Sequence, residues 1–182
     1  MGRALRCAPD DGSTTVTQIF MLSLFPALMA YAASSDLLSM RISNRVSLIL
    51  VAGFIIAALA LRMPLDALAM HVAAGALVLV LCFGMFAAGW IGGGDAKLAA
   101  ATALWMGWSA LPDYGIAASL FGGVLTLAIL QMRTNPLPYF AHWPWLLHLH
   151  HEKTGIPYGI ALAAAGLAVY PESTLWHLAA TM

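Results

Sequence analysis

The chain has 182 residues, of which 62% are hydrophobic and 9% are charged, and its mean hydropathy is +0.85. This composition excludes a soluble domain with a charged, water-facing surface and indicates an integral membrane protein surrounded by lipid. Eight basic and eight acidic residues give a formal net charge of zero, so no nucleic-acid partner is indicated. The two cysteines, Cys7 and Cys82, form no CxxC pair, which excludes a zinc ribbon.

Six charge-free apolar stretches follow a polar N-terminal tail over residues 1–16. They cover 17–35, 46–61, 67–91, 98–112, 114–132 and 154–171. Because a spanning helix needs about 20 residues, they predict an all-α, polytopic protein with about six transmembrane helices in a single membrane-embedded domain over 17–182. The fourth stretch is short, so whether 98–112 fully spans the membrane stays open. Asp10 and Asp11, before the first stretch, argue against a cleaved signal peptide.

The positions of the basic residues predict how the chain is oriented. The loops after the odd-numbered stretches carry most of them: Arg41, Arg45, Lys97, Arg133 and Lys153. Because cytoplasmic loops are enriched in Lys and Arg, these loops are predicted to face the cytoplasm. The tryptophans near the predicted ends of the crossings are interpreted as interfacial anchors. They are Trp90, Trp105, Trp108, Trp143, Trp145 and Trp176.

Acidic residues at the edge of hydrocarbon are costly, and each is therefore a candidate functional group. Asp36 and Asp95 follow the first and third stretches and so lie on one predicted side of the membrane. Asp66 and Asp113 follow the second and fourth stretches, in settings typical of turns or helix starts. Of these four residues, we therefore expect only Asp36 and Asp95 to meet.

Asp95 closes a glycine-rich turn between two apolar stretches. This turn has no Cβ atoms because it consists of Gly92, Gly93 and Gly94, so another backbone can come close to the Asp95 carboxyl group. Taken alone, the run is explained slightly better as a glycine turn with a helix-capping aspartate. Asp36, taken alone, is explained as an interfacial aspartate.

Two carboxyl groups brought together from different helices can share a proton, since neighbouring like charges do not both ionise cheaply. One carboxylate then takes a proton from the attacking water molecule, while its protonated partner donates to the carbonyl oxygen, and the pair later returns a proton to the leaving nitrogen. Such a pair suits peptide-bond hydrolysis without a cofactor, a metal or a covalent intermediate.

At these residues the sequence resembles the type IV prepilin peptidases. The matching positions are Asp36 with Ile42 and Asn44, then Gly92, Gly94, Asp95 and Lys97 in a GxGDxK order, and the run 156–161, which is similar to the family's last-helix signature. The resemblance implies that Asp36 and Asp95 are catalytic. It also implies an active-site loop that contacts substrate, formed by Gly92, Gly93, Gly94, Lys97 and Asn44.

Two departures from the family pattern indicate which members of the family the chain is similar to. Ser43 stands where larger members often have proline, and the sequence lacks the insertion with four zinc-binding cysteines that accompanies N-methylation in bifunctional members. The chain is therefore similar to the short peptidases of Flp or Tad pilus systems.

This resemblance implies a small prepilin substrate with a basic leader, a cleavage-site glycine and an apolar helix. It also implies cleavage at the cytoplasmic face of the bacterial inner membrane, near pilus-assembly machinery. Which pilin is cut, the full cleavage specificity and the oligomeric state do not follow from the sequence.

Two other functions stay open at this point. In a small transporter or channel component, Asp36 and Asp95 would be proton or cation sites. A non-catalytic assembly protein would tolerate the loss of either aspartate. The role of four histidines in the loop before the sixth stretch is also open, although a solvated loop is favoured over a metal site. These histidines are His142, His148, His150 and His151.

Overall fold

The computed structural model describes residues 12–134, residue 149 and residues 155–180, and every regular element among them is helical. The helices are α1 (Gly12–Ser39), α2 (Asn44–Ala60), α3 (Leu65–Ala87), α4 (Gly93–Thr134), α5 (Tyr158–Val169) and α6 (Thr174–Ala180), with a 3₁₀ turn over Tyr170–Glu172 between the last two. The prediction of an all-α protein is confirmed for these residues. Helix α1 begins at Gly12, within the segment 1–16 that the sequence predicts to be a polar tail.

Short loops join the first four helices, and their residues explain where each helix starts and stops. The side chain of Ser43 caps α2 by accepting a hydrogen bond from the Arg45 N–H at 3.3 Å. Gly89, with a φ of 77°, ends α3 because a left-handed residue turns the chain out of the helix. Two backbone hydrogen bonds close this turn, from Gly89 to Phe86 and from Trp90 to Met85.

Helix α4 consists of two helical halves that meet at Gly107. The φ of 71° and ψ of −178° at Gly107 interrupt the helix, and this conformation is essentially restricted to glycine. Just before the break, the Leu104 carbonyl accepts a hydrogen bond from Nδ1 of His71, a buried residue of α3, at 2.8 Å. The imidazole ring therefore satisfies a backbone group near the end of the first half.

The two halves of α4 fold back on each other at this bend. Ala99 and Ala118 line the same cavity of about 150 Å³, although a straight helix would separate them by about 28 Å. The stretches 98–112 and 114–132 are thus separate helical segments, but the boundary expected at Asp113 is wrong. Asp113 is exposed near the start of the second half, where an acidic side chain is compatible with continued helix.

Gly107→Ala is expected to lower the free energy of unfolding by about 2–4 kcal/mol. The backbone conformation is strained for alanine, and the added Cβ would lie 2.7 Å from Cε1 of His71. Thermal unfolding of purified protein in detergent measures the loss. Gly115→Ala is the matched control in the same helix, because a Cβ there meets no atom within 4 Å. Equal melting temperatures for the two variants would contradict the strain at Gly107.

Trp105 lies at the centre of the core, so the interpretation of this residue as an interfacial anchor is wrong. Its side chain is fully buried, and its Nε1 donates to the Leu50 carbonyl at 2.9 Å. The rings of Phe25 and Tyr170 lie beside it, with centroid distances of 5.2 and 6.1 Å. The physical reason is that the first half of α4 is packed against α2, α3 and α5, so its tryptophan faces protein.

Large apolar side chains cover the outward faces of α2, α3 and the second half of α4. Leu59, Val80 and Leu127 are examples, with exposures of 74%, 70% and 68%. Among the described residues, Leu65–Ala87 and Gly93–Thr134 are long and apolar enough to cross a membrane by length and composition. These features fit a membrane protein, whose outer surface contacts lipid rather than water. The count of six crossings stays a prediction.

Candidate active site

Asp36 lies in the last turn of α1 and is buried, with 4% of its surface exposed. Its Oδ2 accepts a hydrogen bond from the backbone N–H of Gly159 at 2.7 Å. Gly159 belongs to the first turn of α5, where unpaired N–H groups and the helix dipole favour an anionic side chain. The start of α5 therefore orients the Asp36 carboxyl group.

Asp95 lies in the first turn of α4, directly after three glycines. A Cβ at Gly92 would lie 2.9 Å from Oδ2 of Asp95, and a Cβ at Gly94 would lie 3.2 Å from Cβ of Ile42. The glycines therefore leave room for the Asp95 carboxyl group and for the loop between α1 and α2. The glycine turn was expected to let another backbone come close. At Gly94, the backbone that comes close is that of Ile42 in the same protein.

Asp36 and Asp95 line the same cavity, which has a volume of about 330 Å³. The remaining wall comes from the α1–α2 loop and the glycine turn: Met40, Arg41, Ile42, Gly92, Gly93 and Gly94. The two carboxyl groups are close enough to interact electrostatically. Such a pair can divide the roles of acid and base between its members.

The other two aspartates considered from the sequence do not line this cavity. Asp66 lies in the first turn of α3, at the opposite end of that helix from the glycine turn. Asp113 lies inside the second half of α4, close to the bend at Gly107. The pairing of Asp36 with Asp95, rather than with these residues, agrees with their predicted placement at one end of the helices.

Asn44 and Lys97 form a hydrogen-bonded pair beside the cavity rather than in its wall. Nζ of Lys97 donates to Oδ1 of Asn44 at 2.9 Å, which ties the start of α2 to the first turn of α4. Both residues line a separate groove between α2, α3 and α4. The predicted active-site loop is therefore divided, with its glycines at the carboxyl groups and its two polar side chains at the neighbouring groove.

Gly159 is a residue of this site that the sequence pattern alone does not identify. A Cβ at this position would lie 2.7 Å from Oδ2 of Asp36 and 2.6 Å from Cδ1 of Ile42. Only glycine therefore permits the observed approach of α5 to Asp36. The available signal was its place inside the run 156–161, which was noted as a family signature without a role for any single position.

The described part of the chain contains no group of three or more His, Cys, Asp or Glu side chains arranged to hold a metal ion. The four histidines whose role was left open lie outside the described residues: His142, His148, His150 and His151.

Comparison with known proteins places residues 23–127, which include Asp36 and Asp95, in a match to the type IV leader peptidase family. Prepilin leader peptidase/N-methyltransferases of Aeromonas salmonicida and Aeromonas hydrophila are 33% identical to this chain over 91 residues. The aligned segment covers 48% of this chain and 26% of those relatives, so the chain matches about a quarter of their length. No solved structure matches the chain.

Proposed function

Because the chain belongs to the type IV leader peptidase family, we propose that it is an aspartic endopeptidase that removes the leader peptide from type IV prepilins. One observation carries this proposal, namely the single cavity that holds both Asp36 and Asp95 beside a glycine turn. Two interacting carboxyl groups next to a loop without side chains suit the hydrolysis of an extended peptide.

In the proposed mechanism, one aspartate is ionised and takes a proton from the attacking water. The other is protonated and donates to the scissile carbonyl oxygen, so that the tetrahedral intermediate carries no uncompensated charge. The Gly159 N–H holds the carboxyl group of Asp36 in place throughout. The aspartate that took the proton from water then donates it to the leaving nitrogen as the C–N bond breaks, and the other aspartate regains a proton from the hydroxyl group of the intermediate as the carbonyl re-forms.

We extend the proposal to a short Flp or Tad-type peptidase that cuts a small prepilin with a basic leader and an apolar helix. In this proposal the protein crosses the bacterial inner membrane six times and holds the two aspartates at the cytoplasmic face. It works near the pilus-assembly machinery. The apolar outer surfaces of α2, α3 and α4 support the contact with lipid. The basic residues of the odd-numbered loops support the orientation.

A cleavage assay tests the proposed activity. Purified protein is incubated in detergent with a candidate Flp-type prepilin, and the intact mass of the product is measured. A product shortened by hydrolysis at one peptide bond within the leader region is expected. An unchanged precursor mass, with a folded protein and with several candidate prepilins, would overturn the proposed function.

Cysteine labelling in intact cells tests the orientation. In a background without Cys7 and Cys82, Arg41→Cys is expected to resist a membrane-impermeant maleimide until the cells are lysed. Leu65→Cys, at the exposed start of α3, is the control on the opposite side and is expected to react in intact cells. Ready labelling of Arg41→Cys before lysis would reverse the proposed orientation.

A further inference from the structure

The cavity of about 150 Å³ between the two halves of α4 shares a wall residue, Asp95, with the cavity that holds both aspartates. We call this smaller space the Asp95 pocket. The two spaces also adjoin along the chain, because Ile91 lines the pocket and the next residue, Gly92, lines the aspartate cavity. On another side, Tyr158 lines the pocket, and the next residue, Gly159, donates its N–H to the other aspartate. The pocket therefore lies directly beside the proposed catalytic pair.

The lining of the Asp95 pocket suits an apolar group. Among the described residues that line it, Asp95 is the only charged one. Ala99 and Ala118 come from the two halves of α4, Ala161 comes from α5, and their short side chains leave the space open. Cys82 contributes to the wall from α3. The pocket therefore depends on the fold-back of α4, which brings these helices together.

Tyr158 forms a fixed wall of the pocket. The Thr126 hydroxyl donates to the Gly122 carbonyl at 2.7 Å, so it accepts from the Tyr158 hydroxyl, whose oxygen lies 3.1 Å away. Thr126 does not line the pocket, so the polar end of Tyr158 is held outside it. The ring is therefore carried by α5 and anchored to α4, which limits the size of the space that it borders.

A peptide that is cut at the two carboxyl groups places a side chain near Asp95. The Cα that follows the scissile nitrogen lies about 2.4 Å from the carbonyl carbon, and the carbonyl oxygen lies about 3 Å from the carboxyl group that protonates it. The side chains that flank the bond thus start within a few ångströms of the catalytic pair. In the proposed substrate, the leader before the bond is basic and the segment after it is apolar. An apolar pocket fits the segment after the bond.

We propose that the Asp95 pocket receives the first side chain after the scissile bond and selects an apolar side chain no larger than a benzyl group. This inference rests on the proposed function. An apolar cavity of about 150 Å³ is large enough to hold a benzene molecule. The side chain of leucine, methionine or phenylalanine therefore fits the pocket, whereas that of tryptophan is too large.

A series of prepilins that differ in this one residue tests the selection. Alanine, leucine and tryptophan are placed directly after the scissile bond, and kcat/KM is measured for each with the wild-type protein in detergent. Leucine is expected to exceed both others at least about 10-fold, since apolar pockets discriminate by this much. Equal values for the three prepilins would mean that lipid or detergent, rather than substrate, occupies the pocket, and would overturn the proposal. So would a preference that follows the residue before the bond.

Narrowing the pocket tests which residues set its size. Ala118→Leu adds three carbons to a half-buried wall position on α4. We expect it to lower the leucine-to-alanine ratio of kcat/KM at least about 10-fold. The ratio does not depend on how much of the variant is folded. Ala128→Leu is the matched control, exposed on the same half of α4 outside the pocket, and is expected to keep the wild-type ratio.

Chemical modification narrows the pocket in the protein after it has folded. In a Cys7→Ser background, benzyl methanethiosulfonate converts the Cys82 thiol into a mixed disulfide that carries a benzyl group, with release of methanesulfinate. The leucine-to-alanine ratio is expected to fall at least about 10-fold and to recover when dithiothreitol restores the thiol. Cys82→Ala is expected to show the same ratio before and after treatment.

The outcomes separate the pocket from the proposed function. A lower leucine-to-alanine ratio in Ala118→Leu or in the modified protein supports the pocket. An unchanged ratio in both, with prepilin still cut by the wild-type protein, would overturn the pocket while the proposed function stands. Cleavage of none of the prepilins by the wild-type protein would overturn both.

Discussion

Asp36→Asn and Asp95→Asn are each expected to lower prepilin cleavage by at least about 10²–10⁴-fold, at normal abundance in the membrane. Asparagine keeps the size of the side chain and part of its hydrogen bonding, but it neither ionises nor carries a proton between steps. In Asp36→Asn, the amide oxygen can still accept the Gly159 N–H, so the local structure is preserved. Initial rates on purified prepilin, at equal concentrations of folded enzyme, measure the loss.

Asp66→Asn and Asp113→Asn are the matched controls, because neither residue lines the cavity. Both are expected to keep near-wild-type cleavage. The double variant of Asp36 and Asp95 is expected to be about as inactive as either single variant, since residues that act as a unit are not additive. Substantial cleavage by either single variant would falsify the two-aspartate mechanism and would favour a transporter or an assembly protein.

Gly159→Ala is expected to lower kcat about 10²-fold, because small displacements of catalytic groups have effects of this size. The added Cβ would lie within 3 Å of both Oδ2 of Asp36 and Cδ1 of Ile42, so the carboxyl group or the start of α5 must move. KM is expected to change little, since the substitution displaces a catalytic group and removes no side chain. Steady-state kinetics on full-length prepilin separate the two parameters.

The matched control for this variant is Gly155→Ala, close to the start of α5. A Cβ at Gly155 would meet no atom within 4 Å, and its substitution is expected to leave kcat near the wild-type value. If Gly159→Ala also kept the wild-type kcat, the role of Gly159 in positioning Asp36 would be wrong.

The sequence predicted the helical class and the pairing of Asp36 with Asp95, because both depend on simple regularities. Apolar stretches without charges predict helices in lipid, and alternate crossings return the chain to the same end of the molecule. The cavity that contains both aspartates agrees with that alternation. Of the glycines before Asp95, Gly94 admits backbone, namely that of Ile42, whereas contact of this turn with a substrate stays a prediction.

Other features depend on tertiary contacts that local patterns do not encode. The break in α4 falls at Gly107, against which His71 from another helix packs, whereas the charge at Asp113 suggested a later boundary. Trp105 is of a residue type that is common at membrane interfaces, but it lies in the core among helices whose packing cannot be read from the sequence. Gly159 orients Asp36 across 123 positions of sequence, a contact that no periodicity reveals.

The fold-back at Gly107 also bears on how water reaches the aspartates. The first half of α4 extends about 21 Å from residue 93 to residue 106, whereas the hydrocarbon layer is about 30 Å thick. In the proposed membrane placement, a segment this short leaves the bilayer locally thinned or leaves one helix end below its surface. If that end is the one that carries Asp95, hydrolysis takes place in a hydrated vestibule sunk into the membrane. A transmembrane substrate would then be cut without first leaving the lipid.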